Sequence, residues 1–193
     1  MLSKSERTKM FILEQSKEVF SKKGYQTVTM TDIVKECGIS RGGVYRYFKS
    51  TKEIFLAIVE MNQQAESNVL EQGIANNLPA TQLLETFLDN EKDHLLQKES
   101  NLTAAIYEFY FKHKHELQEN WLQNQFNRAE EIMKALLQYG VENNEFYLNN
   151  PYTMARHILF LMEGLRISSE AMDLDESMIN EQLYMVKSQL IRK

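Results

Sequence analysis

The chain has 193 residues, 43% apolar and 25% charged, with seven glycines and two prolines. It can therefore bury one large core or two modest ones, and it has few turn-forming residues to interrupt long helices. Its longest apolar run, Ile54 to Val59, spans six residues, far below the roughly 18 that a membrane span needs. No charged, apolar, small-residue leader opens it, so a soluble cytoplasmic protein is expected, with no membrane partner. A single cysteine, Cys37, excludes an intrachain disulfide framework and a thiolate-rich zinc site.

The net charge of -5 hides a division along the chain. Residues 1–52 hold 11 Lys+Arg and 5 Asp+Glu, a balance of +6, whereas residues 53–193 hold 11 and 22, a balance of -11. A basic end on an acidic body points to a nucleic-acid-binding segment.

No stretch shows sustained period-two alternation, so the predicted fold class is all-α. Residues 5–23 place Ile12, Leu13, Ser16, Val19 and Phe20 on one helical face, closed by Gly24 as a left-handed C-cap. Thr29-Met30-Thr31-Asp32 is a capping box, with Asp for the usual Glu, that starts a short helix ending near Cys37-Gly38. A second short helix follows from Ser40 to about Tyr47. Ser50-Thr51-Lys52-Glu53 is a full capping box, and Phe55, Ile58, Val59, Ala65, Val69 and Leu70 carry a long helix to about Gly73. Pro79 and Pro151 each suit a first helical position. Helices are predicted over 79–97, 101–113, 115–142 and 152–172, then a last one with a stripe of Ile179, Leu183, Val186 and Leu190.

Residues 30–47 carry the strongest functional signal: two short helices around a tight turn, with Ile33, Val34, Cys37, Ile39, Val44 and Tyr47 apolar and Gly38 at the turn. That is helix-turn-helix spacing. The second helix is left with Arg41, Gly42, Gly43, Tyr45 and Arg46 to face outward, and its adjacent glycines, each unfavourable by roughly 1 kcal/mol relative to Ala, suit close approach to another surface. Arg41 and Arg46 can bind guanine edges or phosphates, Tyr45 and Tyr47 can reach phosphates through their hydroxyls, and Lys49 and Lys52 supply further positive charge. The start of the long helix can hold another phosphate on its backbone N–H groups.

Gly24-Tyr25, Thr27-Val28-Thr29-Met30, Asp32-Ile33-Val34, the run Gly38 to Ser50, and Lys52-Glu53 resemble the N-terminal DNA-binding domain of the tetracycline-repressor (TetR-type) family over about residues 8–59. The resemblance implies a three-helix domain, residues 1–50, joined by a long helix to a helical effector-binding and dimerisation domain, residues 51–193, about nine helices in all. It implies that Thr29 and Thr31 contact or position phosphates, that the helix from Ser40 to Tyr47 enters the major groove, and that Tyr45, Tyr47 and Lys49 anchor to the backbone. A phosphate contact that many members make through Lys falls here to Thr51 or Lys52. The first helix has Gln15-Ser16 where paired small residues are common. Gly140 to Phe146 is similar to the stretch that closes the seventh helix, with Asn144 in place of Gly.

The 152–172 helix has Met154, Ala155, Ile158, Leu159, Phe160, Leu161, Met162 and Leu165 nearly all round it and must be covered on two sides. A homodimer through a four-helix interface is expected, using Ile158, Met162, Leu165, Ile179, Leu183, Val186 and Leu190; the alternative is burial of these stripes inside one chain. Tyr107, Tyr110, Phe111, Trp121, Phe126 and Met133 are the candidate walls of an apolar site for a small hydrophobic effector.

Enzyme readings fare worse. Glu91 and His94 form a Glu-x-x-His pair, but a di-iron carboxylate site needs a second such pair and two more Glu; the two are more simply a surface pair. No nucleophile elbow occurs. No enzyme activity, cofactor or metal is therefore expected. The function expected is a ligand-responsive transcriptional regulator, most simply a repressor of a palindromic double-stranded operator, the alternative being a helical interaction or small-molecule-binding module without specific DNA binding.

Overall fold

The computed structural model describes residues 3–97, 101–116 and 121–191. Among these the chain forms helices only: α1 (Lys4–Thr27), α2 (Met30–Cys37), α3 (Arg41–Tyr45), α4 (Thr51–Ala75), α5 (Ala80–Leu96), α6 (Thr103–His113), α7 (Trp121–Glu142), α8 (Pro151–Ala171) and α9 (Glu176–Leu190). The all-α class and the helical order agree with the sequence pattern. None of these helices is long and apolar enough to cross a membrane. Of the helix predicted over 115–142, residues 114–116 form a turn, 117–120 lie outside the described residues, and α7 is described from Trp121.

Two compact units arise. The first comprises Met1–Ala65 with Glu99–His115, the second Glu66–Lys98 with Glu116–Lys193. In the first unit, α1 and α2 bury Ile12, Leu13, Val19, Phe20, Ile33 and Cys37. Gly24 does not end α1 as a left-handed cap; its φ of 70° and ψ of 172° kink the helix, which resumes for one short turn to Thr27. The kink swings Tyr25 inward, where its ring stands 4.9 Å from both Phe55 of α4 and Phe109 of α6. Its hydroxyl lies 2.9 Å from His113 Nε2. Glu108 of α6 accepts the Gln26 N–H at 2.8 Å, and a Cβ on Gly24 would stand 2.7 Å from that carboxylate. Ser16 is fully buried and satisfied by donating to the Ile12 carbonyl at 2.6 Å, a back-bond open to a hydroxyl within a helix.

The second unit packs α5, α7, α8 and α9 around Leu84, Leu88, Met133, Leu136, Ile158 and Ile179. Pro79 is not the first residue of α5 but its N-cap, and it has no side chain to cap with. Glu145 takes over, accepting the N–H groups of Ala80 and Thr81 at 2.9 Å each. Asn144 holds φ at 58° beside it, as an αL-tolerant residue should. Gly140 is required locally, because a Cβ there would fall 2.1 Å from the Phe146 ring.

Glu91 is not a surface residue. Its side chain is 4% exposed and meets Arg166 of α8 at 2.7 Å, through both carboxylate oxygens, while His94 is exposed. Burial alone would lower the Arg166 pKa, but the charges of Glu91 and then Glu163 reverse this and hold it above the ordinary arginine value.

The seven residues expected at a dimer surface are Ile158, Met162, Leu165, Ile179, Leu183, Val186 and Leu190, and each is 9% exposed or less. They belong to this unit's own core. An interface residue must be accessible in one protomer, so these stripes are filled by intrachain packing. What α8 and α9 leave open is a different apolar set, including Phe160, Ile167, Tyr184 and Met185.

Replacing Glu91 by Ala would strand the Arg166 guanidinium against Glu163. The expected loss in urea unfolding is about 2–4 kcal/mol, below the upper end for buried pairs because Arg166 is partly exposed. Lys134→Ala, which breaks the exposed pair with Glu131, should change stability by less than about 0.5 kcal/mol. Equal small effects would show that Glu91 is not a structural partner.

Candidate nucleic-acid interface

The helix-turn-helix unit is built from local caps and a few apolar pins. Thr29 caps α2 through a reciprocal box: its Oγ1 accepts the Asp32 N–H at 3.2 Å, and the Asp32 carboxylate accepts the Thr29 N–H at 2.9 Å. Asp32 also accepts the Thr29 hydroxyl and the Lys23 ammonium, each at 2.6 Å. The Lys23 contact first, then those of Thr29, holds the Asp32 carboxyl well below the usual carboxylate range. Gly38 ends α2 at φ 63°, ψ 15°, left-handed values that a Cβ would resist. Ile33, Cys37 and Val44 are buried and fix the setting of α3. Burial, and then the charge of Glu36, pushes the Cys37 thiol pKa up, which keeps it protonated as a small apolar pin.

Ser40 caps α3 by accepting the Gly43 N–H at 3.1 Å. The two glycines differ: a Cβ on Gly43 would meet Ser40 Oγ at 3.3 Å, whereas one on Gly42 would meet nothing within 4 Å. Gly42 thus presents bare backbone outward. The regular helix ends at Tyr45, two residues before the sequence pattern suggested, and Tyr47 and Phe48 continue the turn through N–H bonds to the Val44 carbonyl.

Arg41, Tyr45, Arg46 and Lys49 are exposed, and among the described residues Arg41, Arg46 and Lys49 make no ion pair. Arg41 lies over the Tyr45 ring, 5.2 Å from its centroid, with Nη2 3.4 Å from the phenol oxygen. The two form one cationic, aromatic surface element. Thr29 and Thr31 are exposed at the start of α2, and Thr51 and Lys52 are half-buried in the first turn of α4. There Glu53 accepts the Lys49 N–H at 2.7 Å while Ser50 accepts the Glu53 N–H at 3.2 Å, so the capping carboxylate reaches one residue further back than the sequence box implies.

The fold therefore gathers the predicted residues of 29–52 in the first unit on the helix-turn-helix and its flanks. The effector candidates divide: Tyr107, Tyr110 and Phe111 belong to the first unit, Trp121, Phe126 and Met133 to the second. Phe111 is 61% exposed and Met133 is buried. Sequence reading passed over Ser5, whose Oγ stands 3.4 Å from the Tyr47 hydroxyl. The available signal was the Ser3-x-x-Glu6 capping box that orders this turn.

Because Asp32 is stabilised in its charged form, its contribution to stability is complete above its unfolded pKa, about 3.9. It is lost as pH falls below that value toward the lowered folded one. The difference in melting temperature between the protein and Asp32→Asn should be present at pH 6 and shrink below about pH 4; a difference that stays constant with pH would contradict the assignment.

Residues 12–58 match the family model described as bacterial regulatory proteins, tetR family, and residues 83–180 match a tetracycline-repressor-like C-terminal domain. The chain is 32% identical over 156 residues to the uncharacterized HTH-type transcriptional regulator YfiR of Bacillus subtilis, covering 80% of this chain and 76% of that protein. It is 26% identical to the HTH-type transcriptional regulator QacR of Staphylococcus aureus, over 86% of this chain and 87% of that one. A transcriptional regulator from Saccharomonospora viridis, solved in complex with choline, shares the fold with a TM-score of 0.75, 16% identity and coverage of 97% and 100%. With both regions matched by family models and a relative aligned along most of both chains, this protein belongs to the tetracycline-repressor family of DNA-binding transcriptional regulators.

Proposed function

We propose that this chain is a ligand-responsive repressor that binds a palindromic operator as a homodimer and releases it when a small hydrophobic effector binds. The observation that carries the reading is the outward surface of α3 and the residues after it: bare backbone at Gly42 beside Tyr45 and the cations Arg41, Arg46 and Lys49, which no carboxylate neutralises among the described residues. A helix with exposed backbone can sit deep in a major groove, and unpaired cations have phosphates and guanine edges as partners. Two such helices on a two-fold axis would reach half-sites roughly 34–36 Å apart, or a multiple of that spacing.

The pairing surface is assigned to the open faces of α8 and α9, where Phe160 and Tyr184 are 61% and 58% exposed. A Cβ added to Gly164 of α8 would meet nothing within 4 Å, so a neighbouring helix can come close there. Within the second unit, Trp121, Phe126 and Met133 are the effector contacts proposed. A fold neighbour solved in complex with choline supports a small-molecule effector as the class of ligand. For release, the effector must bind the non-docking state more tightly than the docking state.

Footprinting on DNA upstream of its own gene, with and without extracted metabolites, should give paired protections that metabolites remove. On the site so defined, Arg41→Ala should weaken binding by about 1–3 kcal/mol and relax the preference at one base pair. Lys49→Ala should weaken operator and random DNA alike and flatten the salt dependence by about one unit. Equal losses on both DNAs for Arg41→Ala would remove it from base reading, and a footprint indifferent to every extract would overturn effector release.

A further inference from the structure

The first two turns of α1 lie against the residues that follow the recognition helix, and they begin before the segment matched by the N-terminal family model, which starts at residue 12. Ser5 Oγ stands 3.4 Å from the Tyr47 hydroxyl, and the Lys9 ammonium sits 5.8 Å from the centroid of the Phe48 ring. Ser5 and Lys9 thus lie against Tyr47 and Phe48, and Lys4 and Thr8 are near enough to act on the Tyr47 phenol. Lys4 and Lys9 are exposed and make no ion pair among the described residues. The turn is held in place by its own capping box, Ser3 Oγ accepting the Glu6 N–H at 3.2 Å and Glu6 accepting the Ser3 N–H at 2.7 Å.

We propose that this N-terminal part of α1 is a second DNA-contacting element, in which Lys4 and Lys9 bind backbone phosphates on either side of the one reached by Tyr47. Ser5 is the positioning residue: by donating to the phenol oxygen it leaves the Tyr47 O–H free to donate to a phosphate. At 3.4 Å the Ser5 contact is long for an O–H···O bond, so its role is to bias the phenol's direction rather than to clamp it. The occupant follows from charge and continuity, since two unpaired cations adjoin the surface already assigned to DNA. The inference rests on DNA docking through α3.

The test is the salt dependence of operator binding by the full chain and its variants, each checked for unchanged helicity by circular dichroism. Each phosphate contact contributes about 0.9 to the slope of log affinity against log salt. Lys4→Gln with Lys9→Gln should therefore flatten the slope by about two units on operator and random DNA alike. Lys22→Gln is the control: it lies on the same helix, pairs with Glu18, and should leave the slope unchanged. A double variant with the parent's slope, or a control that flattens it equally, would overturn the proposal. Ser5→Ala should lower operator affinity in the parent but not in a Tyr47→Phe background, and an equal loss in both would remove Ser5 as a positioning residue. If the unaltered protein bound no DNA, docking through α3 would fall; binding with unchanged slopes refutes the α1 element alone.

Discussion

The kink at Gly24 is the constraint on which the DNA-binding unit depends. With φ at 70° and ψ at 172° at residue 24, Tyr25 packs on Phe20, Phe55 and Phe109. Aromatic pairs of this kind contribute about 0.5–1.5 kcal/mol each beyond the area they bury, so one backbone conformation gathers several of them. Glu108 occupies the space a Cβ would need and satisfies the Gln26 N–H. The chain then leaves in an extended conformation at Val28 and Thr29, which is where α2 must be capped for the helix-turn-helix to form.

From that start the helix-turn-helix is set by short-range bonds together with the buried Ile33, Cys37 and Val44. Thr29, Asp32 and Lys23 form one connected cap, Gly38 sets the turn, and Val44 pins α3 from beneath. This division leaves the outer side of α3 without structural duties. Arg41 stacks on Tyr45 and on nothing in the core, so its charge is available to a ligand, and Gly42 keeps the backbone uncovered. The charge is divided in the same way along the chain: residues 1–52, which include this surface, carry the positive balance and the remainder the negative one.

Features fixed within four or five residues were legible in the sequence. The Thr29 box, the Gly38 turn and Pro151 at the start of α8 stand as their spacing implied, because a cap is a local bond. Features that need a distant partner were not. Nothing near Pro79 indicates that Glu145 would cap α5, and nothing near Glu91 reveals Arg166. The placing of α6 with α1 joins segments some 80 positions apart, so no periodicity could report it. The stripe of Ile179, Leu183, Val186 and Leu190 shows the general limit: an amphipathic pattern says that a face is covered, but not whether its own chain or a second one covers it. The recognition surface was readable because its cations and glycines are adjacent in sequence, and Ser5 was missed because its contact with Tyr47 is not.

Amide hydrogen exchange of the protein alone and with an operator fragment tests docking through α3 most directly. DNA should slow exchange over residues 40–52 and at the α2 cap around 29–31, where the exposed cations and caps are found. Protection confined to other segments, with residues 40–52 exchanging as in the free protein, would contradict it.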